Sequence, residues 1–211
     1  MFVILEKLLI MERNIENLLR LRRSRYGLDA FVGVAQDRVE ELVRETLMYV
    51  PSAFNSQSTR IVLLRGMAHR RFWDKVCERI REIVSEEAFD KSRRKIERGF
   101  ASGAGTLLFY EDDAVVDELK RAFPLYAGNI PIYSQHTSAM HQMVLWLLLA
   151  GEGLGASLQH YDALVAEDVR AMFRLPESWR LVAQMPFGHA IDTPDEKSFL
   201  PVEERYFIFD S

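Results

Sequence analysis

The chain has 211 residues, 48% of them hydrophobic, and carries a formal net charge of −4 at pH 7. Its length and composition predict one globular domain with enough apolar material for a sizeable core. The acidic balance argues against a general nucleic-acid binder, because such proteins are usually basic. Cys77 is the one cysteine in the sequence. This excludes an intrachain disulfide and a cysteine metal cluster, and makes the cytoplasm the default location.

The first residues are apolar, but two charged residues interrupt them. The run is too short to span a bilayer, and it has neither the basic start nor the cleavage site of a signal peptide. We therefore predict an N-terminal extension at residues 1–13, with Met11 as an alternative start, and one domain at residues 14–211. The apolar run at residues 140–150 indicates a buried core helix, so no membrane partner is expected.

Four arginines cluster where the first helix of this domain is predicted to end. The helix is indicated by the spacing of Ile15, Leu18, Leu19 and Leu21, and the arginines are Arg20, Arg22, Arg23 and Arg25. Cations at a helix C-terminus are favoured by the helix dipole, so a solvated cationic helix end is one interpretation. Arginine forks also match the geometry of phosphate, and Ser24 adds a hydroxyl donor, so an anion pocket is the other.

A polar loop at residues 51–60 follows the next predicted helix, which Asp37 is expected to cap and Pro51 to end. A buried strand at residues 60–64 comes next. The neutral hydrogen-bonding side chains of the loop are Ser52, Asn55, Ser56, Gln57 and Ser58. Amides and hydroxyls at this density suit a polar, ring-bearing ligand. The alternative is a helix-exit loop whose polar groups satisfy the local backbone, and composition alone leaves both open.

The remainder of the chain mixes helices and short strands without a regular alternation. The pattern predicts helices at residues 68–84, 115–122, 131–150 and 165–173, an exposed charged helix or excursion at 85–98, and strands at 106–110, 181–187 and 205–209. The acidic run 111–113 and Gly188 are expected to end two of these strands. Three glycines at 151–155 are interpreted as a helix cap and turn, because a dinucleotide fingerprint would need a preceding strand. This order of elements indicates an α+β fold.

The common hydrolytic and nucleotide-binding motifs are absent from the sequence. It has no His-Glu-x-x-His pair, no Gly-x-Ser-x-Gly elbow and no P-loop, and its five histidines are scattered. No metal site is therefore predicted. The arginine cluster, the polar loop and an apolar helical core together suit a phosphorylated flat cofactor better than a side-chain nucleophile.

Several motifs, taken in order, resemble the flavin-dependent nitroreductase family. They are Arg22-Arg23-Ser24-Arg25-Tyr26, Pro51–Gln57, Gly105–Phe109, Leu154–Tyr161 and Lys197-Ser198. The similarity runs from about residue 14 to the C-terminus. It is strongest to the subgroup typified by the yeast fatty-acid-repression-mutant protein and bacterial copper-induced nitroreductases. The resemblance implies a mixed, mainly antiparallel sheet flanked by helices, with a long central helix at the interface of an FMN-binding homodimer.

The resemblance also implies roles for residues at the two ends of the domain. Arg22, Arg23 and Ser24 would hold the phosphate and ribityl chain of FMN. Lys197, followed by Ser198, would add a second phosphate cation.

The resemblance implies further contacts to the flavin ring from the middle of the chain. In the polar loop these residues are Pro51, Ser52, Ala53 and Asn55, which would come from the opposite subunit, and Gln57. Gln159 and His160 stand where the family places residues beside the reactive edge of the ring. Phe54, Phe109 or Tyr126 would bracket the substrate, unless they belong to the core.

The activity that the resemblance implies is a ping-pong hydride transfer. NADH or NADPH would reduce FMN, which would then reduce a nitroaromatic, a quinone or a similar small-molecule acceptor. Two departures from the family pattern are Tyr26 and Phe199, which stand where many members have a cation; Arg25 is a candidate substitute. Fewer cations leave open a second hypothesis, a flavin-binding module that senses redox state or stores flavin with little turnover.

Overall fold

The computed structural model describes residues 14–31 and 33–210, so the predicted extension at residues 1–13 lies outside the described residues. The helices in the described part are α1 Ile15–Leu21, α2 Gln36–Tyr49, α3 Gly66–Ile83, α4 Glu86–Gly99, α5 Asp113–Ala122, α6 Ile130–Gly151 and α7 Asp162–Phe173. The strands are β1 Leu28–Asp29, β2 Thr59–Arg65, β3 Gly105–Asp112, β4 Gly155–Ala156 and β5 Trp179–Ala190. Short 3₁₀ turns occupy Ala53–Asn55, Pro124–Tyr126 and Val202–Glu204.

The strands form one antiparallel sheet with the order β1-β5-β3-β2, and β4 also pairs with β5. Every residue of β3 is buried. Because side chains alternate along a strand, β3 contributes side chains to two apolar layers, one on each face of the sheet. Leu108 and Tyr110 join a core formed with α3, α4 and α7, and Leu107 and Phe109 join a core formed with α2 and α6. The predicted α+β fold, a mainly antiparallel sheet flanked by helices, is confirmed.

The predicted central helix is present as α6, which has 22 residues and is therefore about 33 Å long. Its N-terminal part, up to Gln142, buries mainly polar side chains, and the remainder buries aliphatic ones. The buried polar residues are Ser134, Thr137, Ser138, His141 and Gln142. α6 therefore brings hydrogen-bonding groups to the sheet at one end and apolar packing at the other.

Two strands continue past residues that were expected to end them. β3 includes Glu111, which is fully buried because hydroxyl groups of neighbouring elements surround its carboxylate. β5 includes Gly188, where the missing side chain lets β1 approach: a Cβ there would overlap the carbonyl oxygen of Asp29. A charged residue and a glycine normally indicate a strand end, so the local pattern was misleading in both places.

Two further predictions are wrong. The N-cap of α2 is Ala35, and Asp37 lies in the first turn, where its carboxylate still suits the helix dipole. Residues 205–209 form no strand, and the aromatic side chains Tyr206, Phe207 and Phe209 are exposed. Their alternating apolar pattern resembles a strand, but the described residues offer it no strand to pair with.

A buried chain of hydrogen bonds links α3 to β3. Trp73 Nε1 donates to Thr106 Oγ1 (2.9 Å), and His69 Nδ1 lies 2.9 Å from the same hydroxyl. His69 Nε2 lies 3.2 Å from the Ala101 carbonyl, which can only accept, so Nε2 carries the proton and Thr106 donates to Nδ1. Burial lowers the pKa of His69 and outweighs the backbone hydrogen bonds that raise it.

This network should make the stability of the fold depend on pH. Because the pKa of folded His69 lies below the ordinary value of 6.5, the unfolded chain binds more protons at mildly acidic pH. The free energy of unfolding should therefore fall as pH drops below about 6.5. In urea unfolding between about pH 5 and 8, His69→Gln should flatten this slope, whereas His136→Gln, at an exposed position, should not. Equal slopes for wild type and His69→Gln would contradict the assignment.

Candidate functional site

The arginine segment is an extended chain between α1 and β1. Arg22 is the C-cap of α1, and its N–H donates to the Leu18 carbonyl (2.8 Å). Farther along, the Arg25 N–H donates to the Ala156 carbonyl (2.9 Å), and Ser24 forms a parallel bridge with Ala156. The backbone that carries the arginines is therefore fixed beside β4.

Four of the predicted site residues line one pocket of about 340 Å³. They are Arg22, Arg23, Ser24 and Lys197. Tyr26 and the chain at 192–195 complete its wall. The start and the end of the domain thus meet here, and three of the four residues carry positive charge.

One donor of Arg22 is left unused by the described part of the chain. Its guanidinium lies 4.5 Å from the centroid of the Trp146 ring, and its Nε atom is buried without a hydrogen-bond partner among the described residues. An unpaired buried donor costs about 1–3 kcal/mol, which an anion reaching this nitrogen would offset. Arg23 differs, because its Nη2 donates to the backbone carbonyl of Asp195.

Arg25 is engaged by Asp192. Its Nε donates to Asp192 Oδ1 (2.7 Å), and the other carboxylate oxygen accepts from the Tyr26 N–H (2.8 Å). Burial raises the pKa of Asp192, but the hydrogen bonds from Arg25, Tyr26 and Gly27 outweigh it and hold the pKa below its usual value. Because its guanidinium is committed to this pair, Arg25 is a poor substitute for a missing phosphate cation.

Lys197 is the cation that the C-terminal segment brings to the pocket. It is exposed, and its Nζ lies 5.2 Å from the centroid of the Phe199 ring. The resemblance predicts a cation at the position of Phe199, whose ring instead makes a cation–π contact with Lys197. Ser198, also predicted to contribute, is exposed between them.

The polar loop after α2 has an unusual backbone. Phe54, Asn55 and Gln57 have φ values of 56°, 51° and 49°. Positive φ is uncommon for residues other than glycine and costs on the order of 1–3 kcal/mol each, so the surroundings must hold it. The Gln57 N–H donates to Ser52 Oγ (3.0 Å), and Arg60 Nη1 donates to the Gln57 carbonyl (2.6 Å).

Aromatic stacking holds the tip of this loop. The Phe54 ring lies 4.5 Å from that of Phe123 and 5.8 Å from that of Tyr126, between centroids. Phe54 and Tyr126 remain exposed and are available to a ligand, whereas Phe109 is fully buried in the core. Of the three candidates for bracketing a substrate, Phe109 is therefore excluded by its burial.

A second pocket, of about 290 Å³, lies beside the loop. The polar and aromatic residues that line it are Ser52, Gln57, Thr59, Arg60, His141 and Trp179. Among the other predicted residues, Pro51 and Asn55 are exposed and Ala53 is half-buried. The arginine pocket and this loop pocket share no lining residue. Within one chain, the predicted residues thus form separate groups.

His141 gives the loop pocket a defined hydrogen-bonding group. Its Nδ1 lies 2.9 Å from the Thr137 carbonyl and 3.4 Å from Thr59 Oγ1. A carbonyl only accepts, so Nδ1 carries a proton and donates it.

Gln159 and His160 are adjacent in sequence but lie in different surroundings. Gln159 is buried, its backbone pairs with Gln184 (2.7 and 2.9 Å), and its Nε2 donates to Ser157 Oγ (3.0 Å). His160 is exposed and lines a third pocket, of about 600 Å³, together with Arg180. Gln159 does not line that pocket, so the structure does not bring the two side chains to one surface.

Sequence reasoning missed several residues of these pockets. Asp192 belongs to no recognisable motif, and Trp146 lies in the apolar half of α6, where a core role was expected. His141 offered a usable signal, since a polar residue on the buried side of a predicted core helix needs a partner. Glu111 offered none, because its acidic neighbours suggested a turn.

Other chemistries find no support in the part of the chain that the structure describes. No group of three or more His, Cys, Asp or Glu residues there is arranged to hold a metal ion. Burial raises the pKa of the Cys77 thiol to about 11, so the reactive thiolate is scarce at neutral pH. None of the described helices combines the length and the apolar character that crossing a membrane requires.

We predict that Asp192 stabilises the fold by fixing the C-terminal segment to the arginine segment. Asp192→Asn should lower the free energy of unfolding at pH 7 by about 1–2 kcal/mol, because a partly buried charged hydrogen bond is lost. Since the pKa of folded Asp192 is lowered, this difference should vanish as pH falls through that pKa, below about 4. Asp113→Asn is the control: it breaks a more exposed pair with Arg180 and should have a smaller effect. Equal losses for the two variants would contradict the prediction.

Comparison with known proteins identifies relatives over most of the chain. Residues 19–189 match the model of the Nitroreductase family. Two proteins of Saccharomyces cerevisiae are similar: the putative nitroreductase HBN1, 32% identical over 195 residues (90% of this chain, 94% of HBN1), and the nitroreductase FRM2, 31% identical over 189 residues (89% of this chain, 93% of FRM2).

A solved structure shows the same fold. The nitroreductase CinD from Lactococcus lactis, in complex with nicotinic acid, superposes with a TM-score of 0.86. It is 36% identical, and the match covers 93% of this chain and 100% of CinD. The family match at residues 19–189 includes the arginine segment and the polar loop. The chain therefore belongs to the nitroreductase family of flavin-dependent oxidoreductases.

Proposed function

We propose that the chain is an FMN-dependent oxidoreductase that takes electrons from NADH or NADPH by a ping-pong hydride transfer. Its acceptor would be a nitroaromatic, a quinone or a similar small molecule. The observation that carries this proposal is the pocket in which Arg22, Arg23, Ser24 and Lys197 meet. Family membership supports an oxidoreductase reaction, and the pocket supports the inference that the chain binds the phosphate group of FMN.

The residues present fit a phosphate group. A phosphate monoester carries about −1.5 to −2 charges at pH 7 and offers several strong acceptor oxygens. The pocket supplies three cations and the hydroxyl of Ser24. The buried Nε of Arg22 lacks a partner among the described residues, and a phosphate oxygen would satisfy it. Tyr26 and Phe199 stand where cations were expected, but the three cations that remain are enough to neutralise one phosphate dianion.

We propose that a second copy of the chain completes the site. Large apolar side chains stand exposed immediately before the polar loop and near the C-terminus: Met48 at 71%, Tyr49 at 76%, Phe207 at 67% and Phe209 at 90%. Exposed apolar surface of this kind is typical of protein interfaces. Pairing through it, with α6 at the interface, would bring the loop residues 51–55 of one copy to the arginine pocket of the other.

The chain would act by binding and orienting, since FMN, when bound, supplies the hydride-transfer chemistry. Arg22 and Lys197 would neutralise the phosphate, and Ser24 would donate a hydrogen bond to it. Asn55 and Gln57 would present amide groups to the polar edge of the ring. Gln159 would lie beside the reactive edge from a buried, hydrogen-bonded position, which keeps its amide in a fixed orientation.

The acceptor is proposed to be flat and aromatic. CinD has been solved with nicotinic acid, which is a flat aromatic acid. In this chain Phe54, Phe123 and Tyr126 form an aromatic cluster in which each residue keeps 38–45% of its surface exposed. Exposed rings already in contact with one another suit stacking with a further ring.

We predict that the purified protein is yellow, or becomes so when given FMN. NADH or NADPH should bleach the flavin absorbance, and a nitroaromatic or a quinone should restore it with steady turnover. A colourless protein that fails to take up FMN would contradict the proposal. Reversible bleaching without sustained turnover would favour the alternative, a flavin-binding module for redox sensing or storage.

We predict that Lys197→Ala and Arg22→Ala each weaken FMN binding roughly ten- to a hundredfold, because a charge-assisted hydrogen bond to phosphate is lost. Fluorescence titration with FMN and with riboflavin, which lacks the phosphate, would separate charge loss from misfolding. Riboflavin affinity should stay unchanged in both variants. Lys91→Ala, at an exposed position on α4, is the matched control and should behave as wild type. FMN affinity that equals the control's would exclude this phosphate assignment.

A further inference from the structure

Glu111 of β3 is a fully buried carboxylate held by hydroxyls from three different elements. It accepts hydrogen bonds from Ser58 Oγ (2.5 Å), Thr59 Oγ1 (2.6 Å) and Ser134 Oγ (2.7 Å). Ser58 ends the polar loop, Thr59 begins β2 and Ser134 lies on α6. One side chain therefore joins the sheet, the loop and the long helix.

Stability alone is a poor explanation for this arrangement. Arg60 follows Thr59, but its guanidinium pairs with Asp112 (3.0 Å) and not with Glu111. No salt bridge to Glu111 occurs within residues 14–31 and 33–210. A buried carboxylate loses several kcal/mol of hydration, and well-packed apolar residues often replace buried charges without loss of stability. The carboxylate instead fixes the orientation of its partners, because each of the three hydroxyls must point its hydrogen at a carboxylate oxygen.

The polar loop next to this carboxylate has a strained backbone that its surroundings must stabilise. Three of its residues, Phe54, Asn55 and Gln57, have positive φ, and such strain persists only where the surroundings fix it. Ser58 follows immediately and is fixed twice: its hydroxyl donates to Glu111, and its carbonyl accepts from the Asp112 N–H (2.9 Å). The strained segment thus ends in an anchor on β3.

The same carboxylate sets the hydrogen bonds that reach the loop pocket. Because Thr59 donates its proton to Glu111, its oxygen is left to accept from His141 Nδ1. The same Nδ1–H lies closer to the Thr137 carbonyl, at 2.9 Å, and the two acceptors share it, so the ring is held in one orientation. It lines the loop pocket with Ser52 and Gln57.

We propose that Glu111 is a positioning residue for the candidate flavin site. Through Ser58, Thr59 and Ser134 it clamps the strained segment 54–57 against α6 and fixes the His141 ring. This inference rests on the proposed function for the identity of the ligand, whereas the clamp itself is a property of the unliganded chain. Both parts can be measured separately.

The test compares two buried threonines that differ in what they hold. Thr59→Val removes one hydroxyl of the clamp, and Thr106→Val removes a hydroxyl from the opposite layer, where its partners are Trp73 and His69. Hydrogen exchange of the FMN-free protein should show amides in segment 52–58 exchanging about tenfold faster in Thr59→Val, and FMN should bind about tenfold more weakly. Thr59→Ser, which keeps the hydroxyl, should restore both values. Thr106→Val should lower the melting temperature but leave both values unchanged.

Glu111→Gln should act like Thr59→Val, because an amide cannot accept from all three hydroxyls without turning its NH₂ group towards one of them. If that variant does not fold, Ser134→Ala removes the contact to α6 alone and should also accelerate exchange in segment 52–58. Loop exchange in Thr59→Val that matches wild type would overturn the clamp. Faster exchange with unchanged FMN affinity would overturn its link to the flavin site. A wild-type protein that binds no FMN would refute the proposed function, and the exchange data would still decide whether Glu111 holds the loop.

Discussion

The fold depends on a central strand, β3, that is buried along its whole length. A strand covered on both faces leaves its polar side chains no water, so hydrogen bonds within the protein are what stabilises them. Asp112, at its end, pairs with Arg60 of β2, whereas the buried Tyr110 hydroxyl has no hydrogen-bond partner among the described residues. Two further polar residues link β3 to other elements. Thr106, near its start, is paired with α3, and Glu111, near its end, is paired with β2, the polar loop and α6. The demand of one strand for buried hydrogen bonds therefore fixes helices on both sides of the sheet, and fixes the loop as well.

The fold could be predicted from the sequence wherever the pattern is local. Three elements are predicted by their own residues alone, and all three are found: the helix before Pro51, the apolar strand at 60–64 and the long apolar run that forms α6. Two of the failures share a cause. Glu111 and Gly188 look like strand ends until a distant partner is known: hydroxyls 23 to 53 positions away for one, and the backbone of β1 for the other. Periodicity contains no information about such partners.

The candidate site was only partly predictable for the same reason. Motif order predicted that Arg22 and Lys197 would come together, and the structure places both in one pocket. It gave no indication of Asp192, which holds the two chain segments together by accepting from Arg25 and from the backbone. Nor did it distinguish Arg25, whose charge is used within the protein, from Arg22, whose buried Nε has no partner in the described chain. Cations of one cluster thus have different tasks, and contacts made by distant residues decide which cation is available to a ligand.

The separation of the arginine pocket from the polar loop follows from the length of α6. Arg22 packs on Trp146 near the C-terminal end of this helix, whereas Phe54 packs on Tyr126 just before its N-terminal start. Between Ile130 and Trp146 the helix rises about 24 Å, so the two groups of one chain lie far apart along it. A two-fold axis across α6 would reverse the helix of a second copy and place the loop of each chain near the arginines of the other. The proposed dimer accounts in this way for a feature that a single chain leaves unexplained. In that dimer the proposed clamp at Glu111 would order a loop that serves the other subunit, because the pocket of the loop's own chain cannot do so.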